Sequence, residues 1–406
     1  MMIAVKSAKA DVRVMSLIGL AHFFSHFFQL TLPALFPLMW KYEGLNWSEL
    51  GALSAVLYAA SGIAQTPAGF FVDKFGARLT LLVGMLSMSA AMCGFLFVET
   101  YTSMIFLAFC AGLGNSVFHP ADFSILNGSI DSSRIGRAFS VHHFGGYIGY
   151  SSAPFLLLSM GYVIGWRETI FFAGCGGFIV TALIWHNRAR LIDCGLDKGI
   201  KPENIRKEIK GLIRPSFIMA FLFFTFMAMG SVGMMTLGAG ALIQLIDVSD
   251  KIANGTISLQ LIGTIFGVIA GGYIADRVSR HDYMTAIVVT IGAISLQALP
   301  IFQLTEMSFF ISILVVFGVL YGIAGPLRDM VIRAITPPGA AGKVFGFTYS
   351  GMDVGSALSG VIFGYFLQKG IPEMVFVGVG ITMFVGVAII LMAHSMSDRE
   401  KSINSL

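Results

Sequence analysis

Apolar runs of about 20 residues recur along the whole chain and are interrupted by short charged breaks. They fall near 14-40, 50-71, 79-98, 103-127, 137-161, 167-185, 215-245, 253-275, 283-304, 308-332, 344-367 and 372-394. At 1.5 Å rise per residue, a helix of that length crosses the hydrocarbon core of a bilayer. The pattern therefore predicts twelve transmembrane helices. The one long polar insertion, "HNRARLIDCGLDKGIKPENIRKEIKGLIR" at 186-214, divides them six and six. In its second half Ile205, Ile209, Leu212 and Ile213 recur at helical spacing, the pattern of an amphipathic helix on the membrane surface. Lys6, Lys9 and Arg13 before the first run resemble the start of a secretory leader. That run is too long, carries polar groups throughout and lacks a small-x-small cleavage site, so it reads as the first span.

Composition strengthens this picture. Of 406 residues, 56% are hydrophobic and 12% charged, and the mean hydropathy is +0.81; soluble domains carry about 25% charged residues. No large soluble domain fits. The net charge of +4 implies no nucleic-acid partner, but its distribution orients the chain. With both termini and the linker on one side, that side holds all but five of the 26 Lys and Arg. Lys41, Arg167, Lys251 and Lys369 fall opposite, and Arg328 lies within a span, which makes the crowded side cytoplasmic. Cys93, Cys110, Cys175 and Cys194 are scattered, without disulfide or zinc-type spacing.

The two halves repeat. "GFFVDKFGAR" at 69-78 and "GYIADRVSRH" at 272-281 are displaced by 203 residues. "GRAFSVHHFGGYIGYSSA" at 136-153 aligns with "GKVFGFTYSGMDVGSALS" at 342-359 at a displacement of 206, so that Gly145 and Gly149 fall on Gly351 and Gly355. Two pairs at nearly one displacement predict an all-α membrane protein of two pseudo-symmetric six-helix bundles. These occupy 1-185 and 215-406, joined by the cytoplasmic linker 186-214.

On these residues the chain resembles the major facilitator superfamily, whose pattern between helices two and three is roughly G-x-L-A-D-R-x-G-R-K. Gly69, Asp73, Lys74, Gly76 and Arg78 match it, as do Gly272, Ala275, Asp276, Arg277 and Arg280 in the second copy, with Ser279 in place of the later glycine. The resemblance implies a cytoplasmic gate, in which glycine permits close helix approach and aspartate pairs with an arginine or a helix N-terminus. The alternative is a tight turn without gating. More narrowly, "GLGNSVFHP" at 112-120, "GGYIGYSSAP" at 145-154 and A-H-x-x-x-x-x-x-Q in the first helix resemble the fosmidomycin-resistance type of efflux transporter. The fourth-helix arginine common in drug-proton antiporters would fall near Ala108, and the fosmidomycin-resistance type tends to carry an acid where His26 stands.

Ionisable groups within spans cost about 2.5 to 3.5 kcal/mol each on insertion scales and usually face a bundle interior or an aqueous cavity. Here they are His22, His26, His119, Asp122, His142, His143, Arg328, Asp329 and Asp353. His22 and His26 lie about 13 and 20 Å along the helix from Arg13, near mid-membrane. Gln29 shares their face, as Asn115 does with His119 and Asp122. Pro120 and Pro326 occupy matching positions and are expected to break their helices. The superfamily resemblance places the groups of helices one and four in the cavity. The alternative for each histidine is an interior role, bonded to neighbouring backbone or hydroxyls.

The expectation is a proton-coupled secondary transporter that moves a small organic solute, anionic or amphipathic, by alternating access, with export favoured by the efflux likeness. It is expected to act as a monomer, without a cofactor, and the resemblance implies a bacterial inner membrane. An alternative cargo is a transition metal or its chelate, since His22 and His26 are spaced to share one ion, although no strict ligand motif appears. A membrane enzyme or receptor is the further alternative; neither a catalytic constellation nor an appended domain is visible.

Overall fold

In the computed structural model the chain is described over residues 8–131, 134–192, 214–275, 277–301, 306–335 and 341–404. Cys194, Asp276 and the surface helix expected around 205-213 lie outside these residues. Helices account for nearly all of the described chain. They are α1 Ala8–Gln29, α2 Thr31–Glu43, α3 Trp47–Phe75, α4 Ala77–Gly94, α5 Tyr101–Asn115, α6 Phe118–Ser129, α7 Ile135–Ile164 and α8 Trp166–His186. After the linker come α9 Pro215–Ile246, α10 Asp250–Ala275, α11 His281–Ile301, α12 Met307–Ile335, α13 Ala341–Gln368 and α14 Glu373–Asn404.

Among the described residues each expected span is occupied by helix, and ten stretches are long and apolar enough to cross a bilayer. Two of these, Ala10–Glu43 and Tyr101–Ser129, are each built from a pair of helices in series, α1 with α2 and α5 with α6. Large apolar side chains stand in the open along the helices, such as Ile63 of α3 and Val163 of α7, which are 78% and 83% exposed. Contiguous surface of that kind is at home against lipid and rare in soluble monomers.

The interruptions have a shared cause. Proline has no N–H, and its ring clashes with the carbonyl four residues earlier. Pro33 stands four residues after Gln29, where α1 ends, and Pro120 four residues after Ser116, where α5 gives way to α6. The break expected at Pro326 is not found: α12 continues unbroken through it. Loss of one helical bond can be absorbed as a kink when the surrounding turns hold.

By packing, the chain divides into two compact units, Met1–Met39 with Val56–Gly199 and Trp40–Ala55 with Ile200–Leu406. The linker is thus not the whole of the division, because the start of α3 packs in the second unit. A side chain at Gly51 would run into the carbonyl of Gly360, so only glycine allows that approach.

Within each unit the repeated glycines acquire a purpose. A Cβ on Gly145 or Gly149 of α7 would collide with the carbonyl oxygens of Gly19 and Phe23 on α1. Gly351 and Gly355 of α13 stand in the same relation to the carbonyls of Phe221 and Thr225 on α9. Between membrane helices there is little hydrophobic driving force, and small residues earn their place by letting backbones touch.

Candidate functional site

The first unit encloses a continuous polar cluster fed by α1, α3, α5, α6 and α7. Its upper part sits at the two helix breaks. Asn115, the last residue of α5, accepts hydrogen bonds from Ser25 Oγ at 2.8 Å and from Gln29 Nε2 at 3.0 Å. Its own Nδ2 donates to Ser61 Oγ at 3.0 Å. Gln29, the last residue of α1, accepts in turn from the Tyr150 hydroxyl through Oε1. Four helices are thereby tied through two buried amides, Asn115 and Gln29.

Asn115→Ala is expected to lower thermal stability by several degrees in detergent. It strands buried groups on Ser25, Gln29 and Ser61, each at about 1–3 kcal/mol. A thermal-unfolding curve superimposable on that of the unaltered protein would remove Asn115 from this linking role.

Below lies an imidazole stack around one carboxylate. His142 Nε2 of α7 is 3.0 Å from Asp122 Oδ2 of α6, and His22 Nδ1 of α1 is 3.5 Å from the same oxygen. The rings of His22 and His142 stack at 3.6 Å between centroids. His26 lies 4.2 Å from His22, His119 lies 5.4 Å from it, and His143 flanks His142 at 5.4 Å. The Tyr150 ring closes the column against His26 at 4.1 Å. His22, Asp122 and His142 are buried, and His26, His119 and His143 are half-buried. Gly146 makes this possible, since a Cβ there would come within 2.8 Å of both His22 and His26.

Several nitrogens and oxygens in this column are sealed from solvent without a hydrogen-bond partner: His22 Nε2, His26 Nδ1, Asp122 Oδ1 and His142 Nδ1. Buried polar atoms left in that state are costly and call for a physical role.

The second unit holds the other candidates. Arg328 of α12 is 8% exposed; its Nε is 3.5 Å from Asp329 Oδ1, and its guanidinium carbon lies 5.1 Å over the Phe224 ring of α9. Asp329 also accepts from the Tyr349 hydroxyl at 3.0 Å. Asp353 is half-buried on α13, in the second unit.

The displacement of 206 places Arg328 at the position equivalent to Asp122, and Tyr321 at that of Asn115. Tyr321 donates to Ser231 Oγ at 2.8 Å, echoing the Ser25–Asn115 bond in the first unit. The two bundles thus hold opposite charges at equivalent sites.

Among the gate residues, Gly76 adopts φ 88°, a conformation that favours glycine, and starts α4. Arg78 Nη1 donates to the Arg188 carbonyl at 3.2 Å. Lys74 lies over the Phe75 ring, and Arg277 over the Tyr273 ring. Arg280 forms a two-point pair with Asp282 at 3.1 and 2.9 Å, and this hydrogen bonding pushes its pKa still higher. The Asp73 side chain is outside the described residues. Close helix approach, expected of Gly69 and Gly272, is not what they provide, because a Cβ on either meets no atom within 4 Å. Both glycines face open space.

Sequence reasoning passed over Ser61 and Tyr150. Tyr150 lies about two helical turns beyond His142 and His143 in a string already singled out, so its spacing offered a signal. Ser61, in a small-residue stretch, offered none.

A helical membrane fold of paired bundles with buried charge is the architecture of a solute transporter. The family model described as Major Facilitator Superfamily matches residues 18–360 and 253–404. The chain belongs to the Major Facilitator Superfamily, and so is an integral multi-pass membrane protein.

Its fold is similar to that of a bacterial homolog of the human lysosomal transporter Spinster in an inward-facing, occupied conformation, with TM-score 0.78 and 14% identity over 96% of this chain and 98% of that one. It is 22% identical over 369 residues to the fosmidomycin resistance protein of Escherichia coli (strain K12), covering 87% of each chain. It is 23% identical over 358 residues to a cis,cis-muconate transport protein of Acinetobacter baylyi, covering 84% of each. Against a probable L-galactonate transporter of Escherichia coli it is 32% identical over 145 residues, 35% of this chain and 31% of that protein. One further relative is matched over a similar share, 35% of its length. The chain thus spans about a third of the length of these last two.

Proposed function

We propose that this transporter moves a small organic carboxylate in exchange for, or together with, protons, using Asp122 and its imidazoles as the proton site and Arg328 as the anion site. The observation that carries the reading is the sharing of one buried carboxylate oxygen between His142 and His22. A proton at this place can be shared between Asp122 and His142 across 3.0 Å, with His22 Nδ1 3.5 Å from the same oxygen, and imidazole exchanges protons near neutral pH. Capture or release of that proton changes the charge of a buried group that helices α1, α6 and α7 all touch. Such a change biases one bundle conformation over another, which is the requirement for coupling.

Arg328 supports the anionic cargo. Its planar guanidinium is permanently charged and suited to two-point carboxylate recognition. Two of the relatives are named for transport of muconate and galactonate, both carboxylate names. Export is favoured by the likeness to a resistance protein. Both termini are cytoplasmic by the charge distribution, and the membrane is a bacterial inner membrane by family likeness.

The test is a proteoliposome assay with the pH dye pyranine trapped inside and cis,cis-muconate or L-galactonate added outside. The expected result is a proton flux that appears on addition of at least one anion and vanishes in protein-free vesicles. Anion movement with no proton signal would refute coupling. A proton signal elicited only by cationic or neutral solutes in the same vesicles would refute the anionic cargo.

A further inference from the structure

We propose that the imidazoles of His22, His119 and His142 form a binding site for a transition-metal dication of the zinc type, and that the bound ion arrests transport. The claim concerns binding and inhibition, not cargo. The three side chains come from α1, α6 and α7, and one ring nitrogen from each lies within 4.8 Å of the others. Sequence spacing pointed to His22 with His26. The fold brings His22 together with residues about 100 and 120 positions away, which no motif could reveal.

The chemistry of the donors fits. Imidazole nitrogen is a preferred ligand of zinc-type ions, and three such donors with a fourth open position is a common arrangement. A histidine that binds metal through one ring nitrogen usually engages a carboxylate through the other, which fixes its tautomer. Asp122 stands in that outer position, 3.0 Å from His142 Nε2 and 3.5 Å from His22 Nδ1. The opposite nitrogens, His142 Nδ1 and His22 Nε2, are buried without a hydrogen-bond partner on side chains only 1% exposed, as is His22 Nδ1 at its 3.5 Å from Asp122.

Two adjustments accompany binding. Zinc–nitrogen bonds of about 2.0–2.1 Å set tetrahedral donors about 3.4 Å apart, so nitrogen separations of up to 4.8 Å shorten by up to about 1.4 Å. The His22 and His142 rings, 23° from parallel, must also turn out of their stack, because an ion lies in the plane of each ring it binds.

Arrest follows if the cluster is the proton site, since an ion on one nitrogen of each ring fixes the tautomer and so holds the proton that the other nitrogen shares with Asp122; this half rests on the function proposed above, whereas binding does not. The experiment titrates Zn²⁺ by calorimetry, and Co²⁺ by visible absorption, into the purified full-length protein. His22→Gln, His119→Gln, His142→Gln and the exposed control His186→Gln are measured alongside.

The expected result is one ion per chain with the strong visible bands of tetrahedral cobalt. Each of the three variants should weaken binding about 100-fold or more, and the control should leave it unchanged. Asp122→Asn keeps all three ligands and is expected to weaken binding about 10- to 100-fold, so the outer-carboxylate role is tested even if a histidine variant fails to fold. Absence of binding, or binding indifferent to all of these substitutions, overturns the site. Full binding with undiminished pyranine-reported transport overturns the arrest. In either case the proton-flux assay without metal still tests the functional reading independently.

Discussion

Asp122→Asn is expected to abolish transport driven by a pH gradient while sparing substrate exchange at equal pH on the two sides. Asparagine keeps the shape of aspartate and can still hydrogen-bond to His142 and His22, so helices α1, α6 and α7 stay linked. It cannot ionise. The imidazoles then lose the charged partner that makes proton capture favourable in a buried setting, and the conformational cycle no longer depends on protons. Gradient-driven uptake should fall at least about 100-fold, a change of about 3 kcal/mol in coupling. Counterflow, in which labelled substrate exchanges with unlabelled substrate at uniform pH, separates the two cases. Unimpaired gradient-driven accumulation in the Asp122→Asn protein would take this residue out of the proton path.

The second large effect concerns packing. Gly355→Ala is expected to destabilise the protein by about 1–3 kcal/mol or more, because the new methyl meets the backbone carbonyl of Thr225, which no rotamer change can move aside. Gly149→Ala, against the carbonyl of Phe23, should behave alike. Gly272→Ala is the matched control. It sits in a helix with open space around it, so alanine should leave stability unchanged or raise it by about 1 kcal/mol through better helix propensity. Thermal unfolding followed by size-exclusion chromatography in detergent measures all three. Equal melting temperatures for Gly355→Ala and Gly272→Ala would show that α13 and α9 are not in backbone contact.

The spans were legible because the bilayer enforces a length and a polarity on every crossing segment, and charged breaks mark its edges. The glycines at 145, 149, 351 and 355 were legible as a repeat, though their purpose was not: a sequence displays spacing along one helix, and the carbonyl that demands glycine belongs to another. The same limit applies to the polar groups. Helical periodicity set Asn115, His119 and Asp122 on one face and His22 with His26 on another. It carried no information on which faces meet, so the shared Asp122 oxygen and the Gln29–Asn115 bond appear only in the fold. Pro120 and Pro326 illustrate the point most directly. Identical chemistry at matching positions ended one helix and left the other running, because the outcome depends on how neighbouring turns are held.

The jointed helices have a mechanical consequence. An intact helix behaves as a beam, and tilting one end carries the other with it. Where Pro33 and Pro120 have already removed hydrogen bonds, the two halves can lean by different amounts without sacrificing more of them. Because Gln29 and Asn115 are bonded across these two points, the hinges of neighbouring rods sit side by side, at the height of the polar column. A solute or proton arriving there acts where the first bundle bends with least effort, whereas α12, unbroken at its own proline, gives the second bundle a stiffer spine.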